Sequence, residues 1–108
     1  MTQEEAVQLL NEFRDRIDVV DREILALLNQ RTEVVEQIGR VKQEMKMPVY
    51  EPKREEEVFR NIAENNFGPM PAGAVKRVFE RIIDEMRTVQ REKMMRQKAE
   101  QQVTGESQ

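Results

Sequence analysis

The sequence predicts an all-helical protein with three helices, the first of them unusually long. Turn-forming residues are sparse: residues 4–47 contain one Gly, Gly39, and no Pro. Apolar residues recur there at steps of three, four or seven, which is the spacing of one helix face. They are Leu10, Phe13, Ile17, Val20, Ile24, Leu27, Val34, Ile38, Val41 and Met45. We therefore predict a first helix over residues 4–46, ended by Pro48.

Two further helices are predicted from their start and stop signals. Pro52 suits the first position of a helix, and the acidic run 55–57 suits the positive end of its dipole. The run 65–69, with Gly68, ends this second helix, which we predict over residues 52–66. A third apolar stripe follows Pro71 and predicts a helix over residues 71–95. Residues 1–95 thus form one helical domain, and we expect the polar segment 96–108 to be a frayed tail.

The length of the first helix predicts a homodimer. A helix of ~43 residues is ~65 Å long, whereas a compact chain of 108 residues is roughly 35 Å across. Because the apolar stripe runs along the whole helix, the part of the helix that extends beyond the compact chain must bury its apolar residues against another surface. A second copy of the chain is the simplest such surface. We predict an intertwined helical homodimer; the alternative is a kink near Gly39 and a monomeric three-helix bundle.

The composition excludes several classes of protein. Eighteen Lys and Arg against 21 Asp and Glu give a net charge of −3, which argues against a nucleic-acid binder. There is no Cys and no His, and the only Ser is Ser107. Ser-His and Cys-His hydrolases are therefore excluded, and we expect no metal site and no cofactor. The polar N-terminus and the lack of a long apolar run predict no secretion signal and no membrane span, so we expect a cytoplasmic protein.

Polar residues at apolar positions of the first and third helices mark a candidate site. Arg31 and Lys42 occupy or adjoin the first stripe, and Gln90 lies on the inward side of the third helix. Eleven residues separate Arg31 from Lys42, almost three turns, so both project from nearly the same face. Buried cations need anionic partners. The alternative for Arg31 and Lys42 is that they form structural salt bridges or extend their aliphatic chains so that the charged ends reach water. The alternative for Gln90 is a buried amide that sets helix register.

Two further elements could complete this site. Arg54 and Glu55, in the first turn of the second helix, either face inward or form a solvated charged turn. Arg14 lies about 100° from Arg31 around a straight helix, so it could join only from a second copy of the chain. The set suits a small dianion with a hydroxyl, since Arg binds carboxylates through two N–H groups. Without a nucleophile or tuned base, we predict unimolecular chemistry that depends on conformation and charge.

Three runs of residues carry a resemblance to a known family. The first comprises Arg14, Ile17, Asp21, Ile24, Leu25, Leu27, Leu28 and Arg31, the second Ile38, Gly39 and Lys42, and the third Pro48, Val49, Tyr50, Pro52, Arg54 and Glu55. Together they resemble the all-helical class of chorismate mutase, over about residues 9–92. The segment 64–69 resembles mutase domains fused to DAHP synthase, the enzyme that opens the shikimate pathway.

The resemblance implies an intertwined dimer with two equivalent sites and the rearrangement of chorismate to prephenate, the committed step toward Phe and Tyr. This Claisen rearrangement needs no proton transfer and no covalent intermediate. The resemblance further implies that Arg31, Arg54 and Arg14 of the partner subunit hold the substrate carboxylates. It implies that Lys42 and Gln90 donate to the ether oxygen, where negative charge grows as the bond breaks.

The remaining site positions follow the family with one departure. Glu55, with Glu51, is implied to accept from the ring hydroxyl. Met86 stands where some members carry a Ser that helps hold a carboxylate; either substrate affinity is weaker here or a neighbour such as Arg87 compensates. Gln90 stands where some members carry Glu, which must be protonated to donate, whereas Gln donates at any pH.

Three other functions remain open from the sequence. The same fold and a similar set of polar residues resemble isochorismate-pyruvate lyase of salicylate synthesis. A regulatory subunit that binds chorismate or prephenate and a separate DAHP synthase in trans is a second alternative. A helical dimerisation module without a ligand is the third, and it leaves the coincidence of the polar residues with the family's spacing unexplained.

Overall fold

The computed structural model contains three α-helices: α1 (Gln3–Glu44), α2 (Pro52–Asn65) and α3 (Ala72–Glu106). The structure describes residues 1–106, and these contain no β-strand. The predicted all-helical fold with three helices is therefore confirmed. None of the described helices is both long enough and apolar enough to cross a membrane.

α1 is continuous and nearly as long as predicted. At its start the Thr2 hydroxyl accepts a hydrogen bond from the Glu5 amide at 3.1 Å, which satisfies one free N–H of the first turn. The helix continues through Gly39 and ends at Glu44, two residues before the predicted end at 46. The early end has a local cause, because Lys46 adopts a left-handed backbone conformation (φ 54°) that a helix cannot contain.

α2 begins at Pro52, as predicted, and ends one residue early, at Asn65. The turn that follows is held by Asn66. Its side-chain oxygen accepts from the Gly68 amide at 3.0 Å, and its side-chain nitrogen donates to the Met70 carbonyl at 3.0 Å. Gly68 has a φ of +78°, the conformation for which glycine is favoured.

α3 is longer than predicted. It continues to Glu106, 11 residues beyond the predicted end at 95. The segment 96–106 consists mainly of Arg, Gln, Lys, Ala and Glu, which are strong helix formers, and its one Gly is Gly105. Polarity alone therefore does not end the helix. The fraying expected of this segment stays a prediction, and residues 107–108 lie outside the described residues.

The chain divides into two compact units, the first of them Met1–Val34. This N-terminal unit is built on the larger part of α1. The apolar stripe of α1 is exposed in it: half or more of the surface is accessible for Phe13 (50%), Ile17 (57%) and Leu27 (65%). An exposed apolar stripe of this length is unusual in a monomeric protein.

The C-terminal unit, from Val35 onward, contains the last turns of α1 together with α2 and α3. Burial is described for residues 1–101, and five of these are buried: Gly39, Lys42, Ile83, Met86 and Gln90. Two of the five are polar. Because burying a polar group costs free energy unless it is paired, the positions of Lys42 and Gln90 require an explanation beyond packing.

Candidate active site

Lys42 lies in the last turn of α1, and the chain that follows folds back over it. Its side chain is nearly buried; Nζ donates to the Val49 carbonyl at 2.9 Å and lies 2.6 Å from the Glu51 Oε1 atom. An ammonium group has three N–H donors, and these contacts use two of them within the described chain. Since the Glu51 side chain is 46% exposed, the ion pair reaches the surface. One donor of Lys42 is therefore available for an anionic ligand.

Gln90 approaches the same helix from α3. Its Nε2 atom donates to the Val35 carbonyl at 3.1 Å, and its side chain packs against Gly39. A Cβ atom at position 39 would lie 3.2 Å from Gln90 Cγ, closer than nine in ten real Cβ contacts. Val35, Gly39 and Lys42 share one face of α1, at spacings of four and three. The structure thus brings Lys42 and Gln90, both predicted as site residues, to this face.

An ion pair that the sequence did not reveal flanks Gln90. Lys93 Nζ lies 2.7 Å from Glu36 Oε2 and joins α3 to α1 one turn beyond the Gln90 contact. The hydrogen bond from Lys93 is the main cause that lowers the pKa of Glu36; desolvation opposes it, and the charges of Lys93, Arg40 and Arg96 lower the pKa further. This ion pair is therefore formed at neutral pH and supports the position of Gln90.

Glu55, the predicted hydroxyl acceptor, lies in a cluster with Arg87. Arg87 Nη2 is 3.5 Å from Glu55 Oε1 and also pairs with Asp84. The guanidinium carbon lies 5.2 Å from the centre of the Tyr50 ring, within the range of a cation–π contact. The cluster joins the segment before α2, the first turn of α2 and the middle of α3. The sequence singled out Glu55 and Arg87 separately but did not indicate that they pair.

Arg54 takes a different direction from Glu55 in the same turn. Its Nη1 atom pairs with Glu57 Oε2 at 3.2 Å, and both side chains are more than half exposed. In this structure Arg54 therefore belongs to a solvated charged turn, which was the alternative to an inward-facing Arg54. Its predicted contact with a substrate carboxylate stays a prediction.

The other two predicted arginines lie in the N-terminal unit. Arg14 is exposed on α1, and Arg31 is half-buried on the same helix. The exposed position of Arg14 agrees with the expectation that it serves a second copy of the chain, and this expectation stays a prediction.

The predicted site residues of the C-terminal unit offer charge and hydrogen bonding. No group of three or more His, Cys, Asp or Glu side chains in the described part of the chain could hold a metal ion. Lys42 and Gln90 supply N–H donors, and Glu51 and Glu55 supply acceptors. Such an arrangement can orient a polar anion and stabilise charge that develops on an oxygen atom.

A family model and several relatives connect the chain with chorismate mutases. The model of the family described as chorismate mutase type II matches residues 13–91. The bifunctional chorismate mutase/prephenate dehydratase of Neisseria gonorrhoeae is 40% identical over 84 residues, which cover 78% of this chain and 23% of that protein. The chain thus spans less than a quarter of that relative's length. The predicted likeness to domains fused to DAHP synthase is not tested by this relative and stays a prediction.

Solved structures show the same relationship. Form II of the chorismate mutase from Thermus thermophilus has a TM-score of 0.74 and 35% identity, covering 76% of this chain and 93% of that one. The chorismate mutase from Helicobacter pylori, solved in complex with prephenate, has a TM-score of 0.76 and 28% identity, covering 82% and 96%. Each of these two matches covers nearly the full length of the solved chain.

Proposed function

The chain belongs to the chorismate mutase type II family, and we propose that it catalyses the rearrangement of chorismate to prephenate. The observation that carries this proposal is the burial of Lys42 on α1 and of Gln90, which packs from α3 against the same face of α1; each retains donor capacity. Buried donors of this kind suit a reaction in which negative charge develops on one oxygen atom. The lack of Cys and His in the chain fits a reaction without a nucleophile or proton transfer.

We infer that arginines select the reactive conformer of the substrate. Arg31 and Arg54, with Arg14 of the partner subunit, would bind the two carboxylates and hold chorismate in its compact diaxial form. Fixing this conformer before the reaction removes an entropic part of the barrier. Arg54 must then exchange its pairing with Glu57 for the substrate, which its exposure permits.

We infer that Lys42 and Gln90 donate to the ether oxygen as its bond to carbon breaks. Lys42 retains one N–H beyond its contacts with Val49 and Glu51, and the amide of Gln90 retains one beyond its contact with Val35. These fixed donors need little reorganisation during the reaction, which is why they lower the barrier more than water does. Glu55 and Glu51 would accept from the ring hydroxyl.

The proposed enzyme is a homodimer. The homodimer is supported by the exposed apolar stripe of the N-terminal unit, which includes Phe13, Ile17, Val20, Ile24 and Leu27. Burying the exposed half of five such side chains contributes on the order of 5 kcal/mol. A second copy on this stripe would also place Arg14, the neighbour of Phe13, at the subunit interface.

The proposed activity is tested by following the loss of chorismate absorbance with purified protein and identifying the product. We expect conversion to prephenate at submillimolar substrate. Release of pyruvate from isochorismate without turnover of chorismate would contradict the mutase and indicate the lyase. Binding of chorismate without turnover would also contradict it and indicate a regulatory subunit.

Replacing Gly39 by Ala is expected to lower kcat about tenfold without loss of folding. The new Cβ would lie 3.2 Å from Gln90 Cγ, so the amide has to shift by a few tenths of an ångström. Small misplacements of a donor weaken transition-state stabilisation. Ala is favoured over Gly inside a helix by about 1 kcal/mol, so the melting temperature should not fall in parallel with activity.

The matched control for this variant is Gly73→Ala, in the first turn of α3. There the new Cβ would meet only the flexible end of Arg77, at 3.4 Å, so we expect wild-type kinetics. Equal kcat values for wild type and Gly39→Ala would contradict the proposed role of the Gly39 contact in placing Gln90.

A further inference from the structure

Arg87 is the link between three segments around Glu55. It lies on α3, one turn before Gln90, and contacts Tyr50 ahead of α2, Glu55 in the first turn of α2 and Asp84 on its own helix. Each of these contacts comes from a different segment or turn of the chain. The residue therefore bridges α3 and the first turn of α2.

The burial of the pair makes this link specific. The side chains of Arg87 and Glu55 are only 27% and 22% exposed, in contrast to the surface pair of Arg81 and Glu85 at 77% and 55%. Within residues 1–101, Arg87 is the cation that forms an ion pair with Glu55. A carboxylate that is largely withdrawn from water is oriented more strongly by its one cation than an exposed carboxylate is.

Two of the three guanidinium nitrogens of Arg87 are withheld from a ligand, which favours a role through Glu55. Its Nε atom is buried without a hydrogen-bond partner among the described residues, so a ligand cannot reach this donor. Its Nη2 atom already faces two carboxylates. An unpaired buried donor costs free energy, so the position of the guanidinium is set by its contacts with Tyr50 and the carboxylates.

We propose that Arg87 is a positioning residue that holds the Glu55 carboxylate where it accepts a hydrogen bond from the ring hydroxyl of chorismate. The inference rests on the proposed function and deepens it, because it assigns a role in substrate binding to a residue that touches no reacting atom. The hydroxyl takes no part in bond breaking. Its contact with Glu55 is therefore equally present in the ground state and the transition state, and its loss should appear in KM.

The test is a double-mutant cycle in chorismate turnover. We expect Arg87→Ala and Glu55→Gln each to raise KM about tenfold and to change kcat less than about threefold. In the Glu55→Gln background, Arg87→Ala should add less than about a twofold change, because the group it positions is already altered. Arg81→Ala, which removes the exposed pair with Glu85, should leave KM unchanged.

Three results would overturn the inference. They are a wild-type KM for Arg87→Ala, an equal effect of Arg87→Ala with and without Glu55→Gln, and a loss confined to kcat. If Arg87→Ala does not fold, Arg87→Lys replaces it in the same cycle; this variant keeps the charge, and we expect KM to rise about threefold in a way that depends on Glu55. Failure of the wild-type protein to convert chorismate would overturn the proposed function itself, which distinguishes the two failures.

Discussion

Replacing Lys42 by Ala is expected to lower kcat for chorismate about 100-fold or more. The variant removes a preorganised N–H donor from the ether oxygen, and losses of about 10²–10³-fold are typical for such donors. KM should change much less, because the ether oxygen carries little charge before the bond breaks. Steady-state kinetics from the loss of chorismate absorbance measures both constants.

The fold should survive this substitution. Lys42 leaves behind Glu51, whose side chain is 46% exposed and can be solvated, and the Val49 carbonyl. Circular dichroism and the melting temperature verify folding. Lys53→Ala, an exposed lysine in the first turn of α2, is the matched control and should retain wild-type kinetics. A kcat for Lys42→Ala within about threefold of the wild type, measured on folded protein, would rule out the proposed role.

Replacing Gln90 by Ala is expected to have a comparable effect, about 100-fold on kcat, since it removes the second donor. Replacement by Glu makes a sharper experiment. A neutral carboxylic acid donates a hydrogen bond, whereas a carboxylate only accepts and places negative charge beside the ether oxygen. The Gln90→Glu variant should therefore be most active in acid and lose activity as the pH rises and the carboxyl ionises.

The wild type is the control for this pH dependence. Its amide does not titrate, so kcat should be nearly constant between about pH 6 and pH 8. A steep acid optimum in the wild type would contradict Gln90 as a donor. A Gln90→Glu variant with the same flat profile as the wild type would contradict it as well.

The burial of Gln90 could be predicted from the sequence, because Gln90 lies on the inward side of α3, whose stripe residues Ile83 and Met86 are buried as well. The burial of Lys42 could not be predicted from periodicity, because its neighbours on the α1 stripe, Ile38 and Val41, are exposed while Lys42 is buried. The roles that we assign to Lys42 and Gln90 come from the family and remain proposals.

Other features depend on contacts that periodicity does not encode. The left-handed conformation of Lys46 turns the chain so that the Val49 carbonyl and Glu51 reach Lys42, and a lysine carries no signal for that conformation. The pairing of Arg87 with Glu55 depends on how α2 packs against α3. α3 continues 11 residues beyond its predicted end because the segment 96–106 consists mainly of polar residues that form helices well.

Subunit complementation shows whether the proposed mutase site contains residues from two copies of the chain. Arg14→Ala and Lys42→Ala subunits with different affinity tags are coexpressed, and the heterodimer is isolated through both tags. In one of its two sites, Lys42 of one subunit and Arg14 of the other are both intact. In the second site both residues are replaced by Ala. We predict about half of the wild-type chorismate turnover per dimer, against roughly a hundredth or less for each parent. A heterodimer no more active than its parents, or a failure to form any dimer, would contradict a mutase site shared between two subunits.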